Sequence, residues 1–90
     1  MYEIVYTGQF KRSLKLCVRR GLNIQDFKTV LDILQVKGSL PPEYRPHKLQ
    51  GKYKGCWECH ITPDWLMIWQ QNEQLLRLIL VDTGSHSDLF

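Results

Sequence analysis

No apolar stretch in the 90 residues approaches the roughly 18 that a membrane-crossing helix needs, so no membrane role is expected. The opening Met1-Tyr2-Glu3-Ile4-Val5-Tyr6 lacks the basic flank and long apolar segment of a secretory leader, and a cytoplasmic location is the expectation. There is no Ser/Gly/Pro tract, no single-residue run, no internal repeat and no linker composition. Cysteine is sparse and odd in number, at Cys17, Cys56 and Cys59, which argues against a disulfide framework and for thiols in a reducing compartment. Cys56 and Cys59 are three apart in a segment that reads as a strand, so they face opposite sides. No second ligand pair accompanies them, and neither a metal nor a cofactor is expected.

What is present suffices for one core. Hydrophobic residues make up 43% of the chain and aromatics 11%, enough for a single domain over residues 1–90 and too little for two. The net charge of +3 conceals a division. Residues 1–54 hold eleven of the twelve Lys and Arg against Glu3, Asp26, Asp32 and Glu43, a balance of +7. Residues 55–90 hold Arg77 against Glu58, Asp64, Glu73, Asp82 and Asp88, a balance of −4. A basic half beside an acidic half suits a polyanionic partner.

The apolar pattern sets out the elements. Ile4-Val5-Tyr6 reads as a short strand, with Thr7 placed to cap a helix after it. Phe10, Leu14, Cys17 and Val18 then recur at helical spacing, while Lys11, Lys15 and Arg19 form a basic stripe on another face. Gly21 ends this helix, Asn23 caps the next, and Ile24, Phe27, Leu31 and Leu34 give it an apolar face as far as Gly38. The prolines Pro41, Pro42 and Pro46 make the following segment a crossing loop. Strands are expected at His47–Leu49, Tyr53–Ile61, Trp65–Gln71 and Leu75–Thr83, joined by short turns as in a meander. The fold class is α+β, an N-terminal strand and helical hairpin packed on a twisted antiparallel β-sheet of about four or five strands. Along the Trp57–Ile61 strand, Trp57, Cys59 and Ile61 share one face; Cys56, Glu58 and His60 share the other, where chemistry is expected.

All three histidines, His47, His60 and His86, lie in the second half, with Asp64 four residues after His60. Imidazole accepts and donates protons near neutral pH, and two such groups with a charge stabiliser suffice to cleave RNA, whose 2′-OH is its own nucleophile. Spacing alone leaves open that these are unrelated surface histidines.

Three blocks decide more. They are Pro46-His47-Lys48-Leu49-Gln50-Gly51-Lys52-Tyr53-Lys54-Gly55, then Glu58-Cys59-His60-Ile61-Thr62-Pro63-Asp64-Trp65, then Thr83-Gly84-Ser85-His86-Ser87-Asp88-Leu89-Phe90. In order and spacing they resemble the YafQ branch of the RelE toxin family, and the likeness spans nearly the whole chain. The resemblance implies a RelE-like, microbial-RNase-like fold and a ribosome-dependent endoribonuclease that cuts translated mRNA in the A site. It implies two partners, a cognate antitoxin and the ribosome with its mRNA and rRNA. It also implies a catalytic set of His47, His60, Asp64 and His86. Within it His86 is expected as general acid, Asp64 with His60 as handlers of the 2′-OH proton, and His47 as a phosphate support. Trp65 and Phe90 match aromatic positions expected to shape the site by stacking on bases, although a core role is open for Trp65. Lys48, Lys52 and Lys54 are expected to hold RNA phosphates.

One position departs from the family pattern. Asp82 stands where the family usually has an arginine before T-G-[ST]-H, and a carboxylate there repels the charge building on the scissile phosphate. Either another cation such as Arg45, Lys48, Lys52 or Lys54 replaces that arginine, or the catalytic step is slower; a rival reading has Asp82 orient a histidine, His86 first. A catalytically weakened relative that binds ribosome or antitoxin is the alternative. A small single-strand RNA-binding module is a third reading, and it leaves the histidines unexplained.

Overall fold

Residues 1–90 are described by a computed structural model. After strand β1 (Glu3–Tyr6), the Thr7 hydroxyl accepts the Phe10 N–H at 3.1 Å and starts helix α1 (Gly8–Arg19). Asn23 caps helix α2 (Ile24–Lys37) by accepting the Gln25 N–H at 2.9 Å. Gly38, at φ 68°, ends α2 in the left-handed conformation, and a Cβ there would lie 2.5 Å from the Tyr2 hydroxyl. Both helix boundaries and caps follow the sequence expectation.

The sheet has five strands in the order β1-β5-β4-β3-β2. β3 (Trp57–Thr62), β4 (Trp65–Asn72) and β5 (Arg77–Gly84) form the expected meander. The two outer strands occupy its free edges. β2, only His47–Lys48, runs antiparallel to β3, whereas β1 runs parallel to β5 with Glu3 opposite Arg77. The sheet is therefore mixed rather than antiparallel throughout. The expected strand from Tyr53 begins only at Trp57, because Gly51–Tyr53 winds into a 3₁₀ turn and Gly51 and Gly55 take positive φ of 69° and 88°.

Helices α1 and α2 cover one face of the sheet. Phe10, Phe27 and Leu34 meet Cys59, Met67, Trp69, Leu78 and Leu80 in the main core. The strip Trp65–Trp69 is buried on both sides, as a central strand should be. The opposite face is not bare. A smaller cluster of Cys56, Leu66, Ile68 and Leu89 lies there, flanked by Leu49, Tyr53 and Val81. Val18, expected on the buried stripe of α1, is 44% exposed, because Phe10 and Cys17 already fill the contact with the sheet.

Candidate active site

The pleat of β3 places Glu58 and His60 on the face turned from α1 and α2. Opposite them on β4 stand Ile68 and Leu66, and both pack with Leu89 of the C-terminal helix α3 (His86–Leu89). Thus α3, with His86 as its first residue, docks on the same face. β2 brings His47 directly opposite Glu58. Residues from three separate sequence blocks converge on one side of the sheet.

α3 is short, and its position depends on side chains at its start. Ser85 and Asp88 form a reciprocal capping box, and the Arg20 guanidinium binds the same Asp88 carboxylate at 2.6 Å. Arg20 and the Ser85 bonds hold the Asp88 carboxyl well below its ordinary range, at about 2. A Cβ on Gly84 would come within 2.9 Å of Asp88, so the close turn into α3 needs glycine. Exposed His86 lies with its ring centroid 5.2 Å from that of Phe90. Phe90 meets Tyr53 edge-on at 5.8 Å, and Lys52 Nζ is 5.3 Å from the centre of the Tyr53 ring. Histidine, two aromatics and a cation form a continuous row, and Lys54 is exposed beside it in sequence.

His60 is half-buried and lines a cavity of about 320 Å³ with Glu43, Tyr44, Arg45, Ile61, Thr62 and Pro63. Its Nδ1 is 3.4 Å from the Pro63 carbonyl oxygen, which can only accept. Asp64 is exposed in the turn after Pro63. Arg45 holds a left-handed conformation at φ 51°, unusual without glycine, at the rim of this cavity. His47 Nδ1 is hydrogen-bonded with the Arg45 carbonyl at 2.8 Å, and its Nε2 lies in ion-pair range of Glu58 Oε1, at 3.2 Å.

The structure bears on four residues here. Trp65 has no exposed surface, and its Nε1–H donates to the Thr83 hydroxyl at 2.8 Å, so it is a core residue and has no face free to stack on a base. Lys48 follows His47 along β2 and therefore points the other way, its Nζ 5.7 Å from the centre of the Trp57 ring, apart from the histidine face. Asp82 is engaged on the helix side. Its Oδ1 accepts from the Ser13 hydroxyl at 2.5 Å and from the Thr83 N–H at 2.9 Å, which ties the carboxylate to α1. Glu58 is the residue that sequence reasoning left out. The available signal was an acid between the core-facing Trp57 and Cys59, on the same face as His60. Burial, with Glu58's charge adding, pushes the Cys59 thiol up to about 12.

Residues 2–90 match the family described as "Bacterial toxin of type II toxin-antitoxin system, YafQ". The chain belongs to the YafQ toxin family. The mRNA interferase toxin YafQ of Escherichia coli K12 is 34% identical over 90 residues, spanning 98% of this chain and 95% of that protein. The crystal structure of YafQ from E. coli BL21(DE3) superposes with a TM-score of 0.90 at 31% identity, covering 100% of this chain and 99% of that one. YafQ in the E. coli DinJ-YafQ complex gives 0.85 at 34% identity, with 100% and 99% covered. A metal-bound toxin from Helicobacter pylori gives 0.89 at 37% identity, with both chains covered in full. The α+β architecture is thus that of solved YafQ toxins, mixed sheet included.

Proposed function

We propose that this YafQ-family protein is a ribosome-dependent endoribonuclease toxin that cleaves mRNA during translation and is neutralised by a cognate antitoxin. The observation that carries the reading is the convergence of His47, His60 and His86 on one sheet face, with a row of aromatic and cationic side chains leading to His86. The name of the E. coli relative, mRNA interferase, and the DinJ complex of E. coli YafQ support the substrate class and the kind of partner. A cytoplasmic setting accords with both, and no helix is long and apolar enough to cross a membrane.

The chemistry follows from acid–base groups acting on the RNA's own nucleophile. Asp64 and His60 take the 2′-OH proton. The O2′ attacks the adjacent phosphorus, and His86 protonates the departing 5′-oxygen, leaving a 2′,3′-cyclic phosphate and a free 5′-hydroxyl. Positive charge must meet the phosphorane, and single electrostatic donors of this kind contribute about 2.7–4 kcal/mol. Arg45 at the rim of the His60 cavity fills the place of the missing family arginine. Arg77 does not, because its Nε is paired with Glu3 at 2.7 Å. Phe90 stacks on a base, and Lys52 and Lys54 with the α1 stripe hold ribosomal RNA.

The weakened-relative alternative draws on Asp82, and the bond of that carboxylate to Ser13 on α1 supports the cleaving reading over it. Induction in cells with and without the neighbouring antitoxin gene, followed by mapping of transcript ends, tests the proposal. Growth arrest with codon-phased cuts, relieved by the antitoxin, is expected; arrest without cuts defeats it.

A further inference from the structure

α3 is too short to hold its own direction. Its four residues make about one turn, and a helix of that length has no stability of its own in water. Leu89 seats it on the sheet by packing with Cys56, Leu66 and Ile68. The capping box between Ser85 and Asp88 lies within the turn, so it fixes the shape of α3 and not its orientation. The His86 ring is exposed and meets Phe90, and it points where the backbone of α3 carries it. With Leu89 as the one anchor, the turn could rotate about that side chain.

A second grip comes from the helical layer. Arg20 Nη1 donates to Asp88 Oδ2 at 2.6 Å, the same oxygen that accepts the Ser85 N–H at 2.8 Å. Arg20 is itself fixed, because its backbone N–H donates to the Leu16 and Cys17 carbonyls in the last turn of α1, and Cys17 is buried in the main core. The pair spans a cavity of about 220 Å³ with Ser13, Cys17, Asp82 and Leu89 in its wall, so it bridges a gap between the end of α1 and α3. Helical residues advance by about 100° each, which puts Asp88 about 200° round the turn from His86 and about 100° from Leu89. Grips on two sides of the turn stop its rotation.

We propose that Arg20 is a positioning residue for cleavage: from the end of α1 it holds Asp88 and so fixes the direction in which α3 presents His86 and Phe90 to the RNA. The proposal rests on the ribonuclease reading and deepens it, by adding a residue outside the three motif blocks to the parts that aim the general acid. Proton transfer needs hydrogen-bond distance and direction, so a misaimed acid lowers rate more than affinity. An exposed ion pair contributes little to global stability, so the urea midpoint should hold while the rate falls.

The test compares wild type with Arg20→Gln, Arg20→Lys and Asp88→Asn, each as the full chain. Arg20→Gln should cut ribosome-bound mRNA about fivefold or more slowly in single turnover, with the half-saturating ribosome concentration within about threefold of wild type. In that variant the nuclear Overhauser contact between the His86 and Phe90 rings should weaken, as should the exchange protection of the Phe90 N–H bonded to the His86 carbonyl. Arg20→Lys should recover most of the rate, because the contact uses one nitrogen and an ammonium can supply it. Asp88→Asn should slow cleavage as well. A wild-type rate in Arg20→Gln, or a slower rate with an unaltered ring contact, overturns the proposal. A half-saturating concentration that moves as far as the rate also overturns it, by assigning Arg20 to binding. So does an Asp88→Asn variant faster than wild type, since a released Arg20 would then be acting on RNA itself. A wild type that cuts no ribosome-bound mRNA would fail the ribonuclease reading, and loss of the ring contact in Arg20→Gln would still support the grip on α3. Normal cutting by every variant would keep that reading and overturn this proposal.

Discussion

Replacing Trp65 with phenylalanine separates a core role from an RNA-stacking role. The indole is wholly buried, and its Nε1–H donates to Thr83 Oγ1 at 2.8 Å. The Thr83 hydroxyl in turn donates to the Leu66 carbonyl at 2.6 Å, so it keeps a partner when the indole is lost. The missing bond therefore costs about 0.5–1.5 kcal/mol rather than the full penalty of a stranded polar group. The smaller ring adds a transfer and cavity contribution below the 3–5 kcal/mol typical of full truncation to alanine, so roughly 2–3 kcal/mol in total is expected. With a urea slope of about 1–3 kcal/mol/M for a domain of this size, the midpoint should fall by about 1 M without a change in slope. Single-turnover cleavage per folded molecule, and the half-saturating ribosome concentration, should stay near wild type. Adding Thr83→Val should reveal a coupling of about 0.5–1.5 kcal/mol between the two sites. An unchanged urea midpoint combined with weaker ribosome or RNA binding would refute the core assignment and restore Trp65 to the RNA surface.

His86→Gln should lower cleavage by about 10²-fold or more, because it removes the general acid. Its urea midpoint and antitoxin binding should hold, since His86 is exposed, and retention of more than about a tenth of the rate would be inconsistent with that role. Arg45→Gly relieves the φ of 51° and should leave stability equal or slightly higher while slowing single-turnover cleavage; an unaffected rate would remove Arg45 from the site. Arg20→Gln should raise the Asp88 titration from about 2 toward the ordinary 3.8, read by carboxyl ¹³C shifts. Because that carboxyl is depressed in the fold, the pair's stabilisation is present above the ordinary carboxylate range and lost as pH falls toward about 2. The pair is substantially exposed, at 47% and 32%, so salt should weaken it and the stability change should be small; an Asp88 titration unmoved by the substitution would deny the contact.

Local physics made much of this protein legible in its residues. The helical repeat of Phe10, Leu14 and Cys17, the caps Thr7 and Asn23, and the stop at Gly38 depend on neighbours within a turn or two, so the chain alone specifies both helices and their ends. The same is true of the meander, whose strands are joined by short turns. The motif blocks placed His47, His60 and His86 as candidates before any contact between their elements was known. What depends on partners far along the chain was decided by the tertiary structure. β1 pairs with β5 across more than seventy positions, Glu3 against Arg77, and nothing near Ile4 encodes whether that pairing is parallel. Trp65, Lys48, Asp82 and Glu58 have the residue types of a nucleic-acid site or of a solvated surface, and their roles differ because of what packs against them. Thr83 and the central strand close over Trp65, Trp57 receives Lys48, Ser13 on α1 engages Asp82, and His47 alone compensates Glu58. Burial and charge pairing are properties of distant segments brought together, whereas helical and strand periodicity are properties of the segment itself.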